Sequence, residues 1–290
     1  MSQEPISAAC ERAAEIIGNA DAVIIAAGAG FGVDSGLPDF RGREGFWGAY
    51  PALGRARLDF TDIANPEAFR TRPALAWGFY GHRLDLYRRT VPHAGFDILR
   101  ALGVSLPHGA FVFTSNVDGQ FQKAGFLDGQ VVEVHGTIHR LQCLRPCSVK
   151  TWPATQFVPE VDAEQCELLN RLPRCPSCGE LARPNILMFG DWTWVSDEAE
   201  RKQRQFEAWR RGATRPVVLE LGAGTAVPTV RQFSQSLRVP LIRINPDVPV
   251  TNARSGVSIP LRARDALFRI ATSVSARRPD FARHLAAVLH

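Results

Sequence analysis

The 290-residue chain has no apolar run approaching the roughly 20 residues needed to cross a bilayer. Its opening stretch, MSQEPISAACERAAEII, carries acids early and no apolar signal core. Both absences argue against a membrane span or export, so a cytoplasmic protein with no membrane partner is expected. There is also no block of like charge. Lysine and arginine together number 34 against 29 acids, a formal net charge of +5 spread along the chain. Such a surface reads as solvated, and nucleic acid is not an expected partner. No internal repeat or low-complexity tail is visible. What remains is an ordinary globular composition, 45% hydrophobic and 22% charged, in a chain long enough to bury a sizeable core.

The apolar residues are grouped. Residues 7–18 read as an amphipathic helix. Ala22 to Ala27 is a continuous apolar run, as in a strand covered on both faces. Similar short runs occur at 111–114, 131–134, 217–221 and 241–244, with helix-period segments such as 73–89 and 197–211 between them. This alternation predicts an α/β fold with a parallel, Rossmann-like sheet and helices on both faces. Ligands of such sheets sit beyond the carboxyl ends of the strands. Four post-strand loops carry candidate residues: 28–42, 115–118, 135–136 and 222–225. Two stretches break the pattern. Residues 43–95 lack strand signals and are expected to form a helical insertion over the site. Residues 137–185 have little periodicity and hold most of the cysteines. The sheet domain is therefore drawn as 1–136 and 186–290, and 137–185 as a small inserted module.

Five of the six cysteines fall in that module; only Cys10 stands apart. Cys143-x3-Cys147 and Cys175-x2-Cys178 are two close pairs separated by a loop, the spacing of a tetrahedral thiolate site. Four soft ligands point to a structural zinc ion with a closed shell. Cys166 is the alternative ligand.

Gly28-Ala29-Gly30-Phe31-Gly32 follows the first strand. It lacks the G-x-G-x-x-G spacing, but its glycines allow a tight turn and backbone amides that approach a pyrophosphate. Taken alone it is equally a strand-to-helix turn. It continues, however, as Ser35-Gly36-Leu37-Pro38-Asp39-Phe40-Arg41-Gly42. The whole segment GAGFGVDSGLPDFRG resembles the opening NAD-binding motif of the sirtuin (Sir2-like) family. The resemblance assigns Gly28, Ala29 and Gly30 to the cofactor, Asp39 and Arg41 to cofactor or structural polar contacts, and Phe40 to shielding the nicotinamide side. Gly32 stands where the family usually has serine.

Four further segments are similar to the family in the same order. Thr114-Ser115-Asn116-Val117-Asp118, which alone reads as a helix cap, resembles the turn T-Q-N-I-D. By that match Asn116 and Asp118 hold the nicotinamide carboxamide and ribose, Asn116 counting with the catalytic residues, and Ser115 replaces a ribose-contacting glutamine. His135-Gly136 closes a strand. An imidazole there titrates near neutrality, and its match is the general base for a ribose hydroxyl. Residues 183–191 resemble the segment whose edge pairs with the substrate backbone. There Met188, Phe189 and Gly190 are expected substrate contacts, with Met188 and Phe189 walling a channel for the lysine stem, and Asp191 replaces the usual glutamate. Gly222, Gly224 and Thr225 occupy the second phosphate-binding position, where G-T-S is usual, and Asn245 matches the residue that contacts the adenosine ribose.

Tyr80 and Arg83 share one helical face, and an arginine fork suits a carboxylate. Tyr-x-x-Arg resembles the signature of the sirtuin branch that removes succinyl and malonyl groups; the alternative is a solvated arginine beside a core tyrosine. The resemblance implies an NAD-consuming protein-lysine deacylase that acts on acylated proteins or peptides and releases nicotinamide and O-acyl-ADP-ribose. It also implies a structural zinc. A mono-ADP-ribosyltransferase or NAD hydrolase on the same fold, and a non-catalytic NAD-sensing protein, remain the alternatives.

Overall fold

Backbone hydrogen bonds sort the apolar runs into one principal sheet and two small ones. The computed structural model describes residues 5–38, 42–247 and 256–289. Strands β1 (Ala22–Ala27), β2 (Gly109–Thr114) and β3 (Val131–Glu133) precede the cysteine-rich segment. Within it lie β4 (Gly136–Cys143), β5 (Trp152–Pro153), β6 (Val161–Asp162), β7 (Glu167–Leu168) and β8 (Ala182–Ile186). Strands β9 (Pro216–Leu221), β10 (Leu241–Ile244) and β11 (Val257–Ile259) follow.

The principal sheet has the order β11-β10-β9-β1-β2-β3, and every neighbouring pair is parallel. Strand order reverses between β1 and β9, the arrangement of dinucleotide-binding Rossmann folds. All six residues of β1 are buried, because alternate side chains enter different cores. Val23, Ile25 and Ala27 join the cluster made with helices Ile6–Gly18, Gly95–Ser105 and Ala263–Arg277. Ile24 and Ala26 join the cluster containing Phe206 and Val230 on helices Asp197–Arg210 and Thr229–Ser236. Each large apolar side chain buried this way contributes about 1.5–3 kcal/mol.

The two stretches that break the βα pattern share a third core. Trp77, Phe79 and Tyr80 of helix Pro73–Arg89 lie in one cluster with Ile138, Leu141, Leu168, Cys166 and Met188. Close approach at Gly78 makes this possible: a β-carbon there would fall 2.0 Å from the Cys166 carbonyl oxygen. The helical insertion is thus packed against the cysteine-rich segment, in which β5-β4-β8 form a three-stranded sheet and β6-β7 a hairpin. In the principal sheet β11 is the strand that periodicity missed, as it also missed β4 to β7 in the cysteine-rich segment; β11 has three residues, a half-buried Ser258 at its centre and Pro260 directly after it. No helix among the described residues is long and apolar enough to cross a membrane.

The loops after β1 and β9 are in main-chain contact. Gly222 has φ +58°, and a β-carbon on it would lie 2.3 Å from the Phe31 nitrogen. Left-handed strain and this overlap together predict that Gly222→Ala costs about 2–4 kcal/mol. Its urea midpoint should fall well below that of the parent; an unchanged midpoint would contradict this packing.

Candidate active site

The sheet carries the candidate residues to its carboxyl edge. Gly28 follows β1, Ser115 to Asp118 follow β2, His135 lies two residues past β3, Gly222 follows β9 and Asn245 follows β10. Main-chain bonds continue the ladder into these loops. The N–H of Gly28 donates to Leu221 O (2.9 Å), that of Gly30 to Gly222 O (3.0 Å), that of Gly222 to Ile244 O (3.0 Å) and that of Ser115 to Ala27 O (3.2 Å). Two side chains lock the edge further: Asn116 Nδ2 donates to Gly28 O (3.1 Å), and Asn245 Nδ2 to Ala223 O (2.9 Å). Ala29, Gly224 and Thr225 are exposed on the outer side. The result is a shelf of backbone crossing the switch point, of the kind that accepts a dinucleotide. The close approach of loop to loop leaves no space for a side chain at Gly28, whose β-carbon would meet Ala223 Cα at 2.8 Å.

The polar turn after β2 does not open a long helix. Its helix is the four residues Gln120–Lys123, and Asp118 Oδ1 accepts the Gln120 N–H (2.9 Å). The Asp118 carbonyl accepts from His139 Nε2 (2.9 Å), and Val117 O accepts the Ile138 N–H (3.0 Å). The turn is therefore tied to β4, and His139 has a structural role. Burial pushes the Asp118 carboxyl up to about 6, opposed by the Gln120 amide and the Arg83 guanidinium. A β-carbon on Gly32 would stand 3.8 Å from Asp118 Oδ2, so the glycine loop reaches this carboxyl.

The His135 imidazole is half-buried and faces the Ser115 main chain. Burial holds its pKa below the ordinary histidine value, with the Ser115 contact opposing, so the ring is a neutral base at neutral pH. Two residues upstream, at the end of β3, is Glu133, which sequence reasoning passed over. Its Oε2 accepts from Gln122 Nε2 (3.0 Å), and burial pushes its carboxyl up to about 8. The available signal was a lone carboxyl inside the apolar run Val-Val-Glu-Val. Asp39, Phe40 and Arg41 lie outside the described residues.

Arg83 is buried, which excludes the solvated alternative. Its Nε and Nη2 donate to Tyr87 Oη (2.9 and 2.7 Å), and its guanidinium carbon lies 5.2–5.6 Å from the ring centres of Phe79, Tyr80 and Tyr87. Gln120 Nε2 donates to Tyr87 O (3.1 Å), linking this helix to the polar turn. Beyond β8, an edge strand of its small sheet, the Leu187 N–H donates to His135 O (2.9 Å) and the Phe189 N–H to Ala64 O (2.9 Å). Side chains alternate here: Met188 is buried, whereas Leu187 and Phe189 are 38% and 42% exposed. Met188 is thus turned into the shared core while Phe189 stands at its margin, its ring meeting Phe60 edge-on at 5.9 Å. Gly190 is exposed, with φ +62°.

The four cysteines converge. The sulfurs of Cys143, Cys147, Cys175 and Cys178 lie within 4.8 Å of one another, with Cys143–Cys178 and Cys147–Cys175 at 3.7 Å. Zinc–sulfur bonds of about 2.3 Å in a tetrahedron require edges of about 3.8 Å, so the donor set fits that ion. Main-chain amides of Ser177 and Cys178 face the Cys175 sulfur, as the turn Cys-Pro-Ser-Cys suggests. Cys166 lies outside the cluster, buried against the helical insertion.

Comparison with known proteins agrees with this geometry. The chain is 31% identical over 258 residues to an NAD-dependent protein deacylase of Aeropyrum pernix, covering 88% of this chain and 92% of that one. It is 28% identical over 230 residues to an NAD-dependent protein deacylase of Aquifex aeolicus, covering 79% and 85%. Its fold is similar to that of a Sir2 homologue–NAD complex, with a TM-score of 0.68 at 24% identity over 92% of this chain and 94% of that one. The model of the Sir2 family matches residues 28–208, from the glycine loop into helix Asp197–Arg210, and the chain belongs to that family.

Proposed function

We propose that the protein is an NAD-dependent protein-lysine deacylase whose acyl acceptor is the ADP-ribose part of NAD. The observation that carries this reading is the position of the His135 imidazole, half-buried at the carboxyl edge of the sheet beside the polar turn, with its own carbonyl accepting the Leu187 N–H. NAD, when bound, supplies an electrophilic ribosyl carbon for the acyl oxygen as nicotinamide leaves. The shelf of residues 28–30 and 222–225 would hold its phosphates, Asn245 its adenosine ribose, and Asn116 and Asp118 its nicotinamide end. His135 would take the proton of a ribose hydroxyl, so that this oxygen attacks the acyl carbon. The acyl-lysine would enter along residues 187–190. The chain then divides into a Rossmann-like domain, 1–136 with 186–290, and a zinc module, 137–185, with the cofactor in the cleft between them. The closed thiolate shell leaves the metal no open position, and its role is structural.

Incubation with NAD and acetyl-, succinyl- and longer acyl-lysine peptides should release nicotinamide and deacylated peptide in equal amounts. Nicotinamide release without deacylation would favour a transferase or hydrolase. His135→Ala should retain NAD binding and lose at least about a hundredfold in kcat. Because burial depresses the imidazole pKa, the base persists to lower pH. The acid limb of kcat/KM should therefore fall below about pH 6.5, losing activity as pH drops through it. A flat profile would remove His135 from the chemistry.

A second reading, removal of acidic acyl groups, is favoured by Arg83, whose charge is buried against Tyr80 and Tyr87 and reaches Asp118. Succinyl peptide should then be preferred to acetyl. Arg83→Met should raise its KM more than tenfold, far beyond the change for acetyl peptide. Equal effects on both would reject the reading.

The zinc assignment predicts one zinc per chain by elemental analysis. Cys175→Ser should lower both that content and the melting temperature. Full stability without metal would show that the thiols suffice.

A further inference from the structure

The turn that ends the substrate segment carries a feature the reaction does not use. Trp192 is 96% exposed, the highest value among the large apolar side chains of the described residues. A lone exposed apolar residue needs no explanation, but this one is held in place on both sides. The buried Asp191 carboxylate, with a fully buried side chain, pairs with Arg183 Nη2 at 2.7 Å. It also accepts the N–H and hydroxyl of Thr193 (3.0 and 3.2 Å), and the Thr193 carbonyl accepts from Gln142 Nε2 (2.8 Å). The neighbours of Trp192 are therefore fixed inward while its indole is directed out. Beside it a cavity of about 340 Å³ lies between helix Pro66–Thr71 and residues 189–193, lined by Pro66, Glu67, Arg70, Phe189, Trp192 and Thr193 among others. Five residues upstream, Leu187 is bonded to the His135 main chain, so cavity and reaction centre lie on one continuous segment.

We propose that Trp192 and Phe189 form a subsite for an aromatic or large aliphatic side chain of the substrate polypeptide flanking the acyl-lysine, making Trp192 a specificity-determining residue. The inference rests on the deacylase reading. Charge decides the chemical class. The two ionised groups of the lining, Glu67 and Arg70, pair with each other at 3.3 Å and leave no net charge to recruit an ionic side chain. Of the remaining lining, the Asn65 side chain and the Thr193 hydroxyl are already bonded within the chain, and what is left is Gly190 with indole, phenyl and proline ring, which gains by covering apolar area and by ring stacking. Because the turn is already rigid, little ordering cost opposes binding, and tryptophan is the residue type that most often dominates such contacts.

The test compares acyl-lysine peptides of one acyl group carrying phenylalanine, alanine or glutamate at each flanking position in turn. At one position the parent should show a kcat/KM ratio of phenylalanine to alanine peptide of about tenfold, expressed in KM, which corresponds to about 1.4 kcal/mol. Trp192→Ala should bring that ratio close to one, and Trp192→Phe should keep part of it. Exposure at this position makes unfolding of the variants an unsuitable explanation. Turnover with no flank preference in the parent, or a preference that survives Trp192→Ala, overturns the subsite alone. No turnover of any acyl peptide by the parent removes the deacylase reading and this inference with it.

Discussion

The site depends on a place where two stretches of main chain touch without side chains between them. Gly28 and Gly222 end adjacent parallel strands at the point where strand order reverses. The β-carbon each lacks would fall within 3 Å of the other loop. Only because both are glycine can Gly30 N–H bond to Gly222 O and the two loops close into one backbone shelf. Asn116 and Asn245 then fasten the shelf from either side by donating to Gly28 and Ala223 carbonyls. Placement of His135 follows, since β3 is held to β2 in register and β2 to β1. A sheet built for burial on both faces thus delivers these candidate polar residues together at its carboxyl edge.

Desolvation sets the electrostatics behind that edge. Among the described residues two ion pairs are buried on both sides: Arg243 with Glu220 on adjacent strands (2.5 Å), and Arg183 with Asp191 below the turn at 189–193 (2.7 Å). Such pairs add little net stability, but removing one partner leaves an uncompensated charge, so they fix geometry. The groups nearest the proposed chemistry are treated differently. Asp118 and Glu133 are pushed up to about 6 and 8, and His135 is pushed down, all chiefly by burial. The environment therefore disfavours charge on these three groups, the condition in which a proton can be moved near neutral pH. Arg83 partly opposes this for Asp118, which couples the helical insertion to the polar turn through charge as well as through the Gln120–Tyr87 hydrogen bond.

Most of the sheet was legible because buried parallel strands are unbroken apolar runs. Ala22–Ala27 and Leu241–Ile244 appear in the structure with the limits the sequence suggests. The cysteine cluster was equally legible, since ligand spacing is a local property, and the unused Cys166 turned out to pack the core. Long-range partnerships were not. Nothing local in Gly78 announces that it admits the Cys166 carbonyl, so the helical insertion and the cysteine-rich segment read as separate units although they share a core. Glu133 was missed because its strand was scored for apolar residues, and a single carboxyl in such a run looks like an interruption. The expectation from the resemblance that Met188 and Phe189 wall one channel could not foresee their unequal burial, Met188 in the third core and Phe189 42% exposed. Trp192 was passed over because exposure is a property of the fold, set here by the buried Asp191.

The departures from the usual sirtuin pattern are not physically equivalent. At Gly32, where serine is usual, a β-carbon would lie 3.2 Å from Leu37 Cδ1 and 3.4 Å from its Cβ. Leu37 is itself buried, so glycine at 32 is matched to the packing of its neighbour, and restoring serine would require Leu37 to shift. At Gly224 nothing lies within 4 Å, and a hydroxyl residue would fit without adjustment. The absence there is a matter of chemistry rather than space: the shelf offers main-chain groups where relatives of this pattern offer a side-chain hydroxyl. Asp191 is a third case. Its carboxylate meets Arg183, Thr193 and the Met188 amide at once, and that short reach folds the turn tightly enough to send Trp192 outward. A side chain one methylene longer would need a wider turn to make the same contacts. The buried carboxylate at the core of the loop and the exposed indole at its tip therefore belong to one hydrogen-bonded turn.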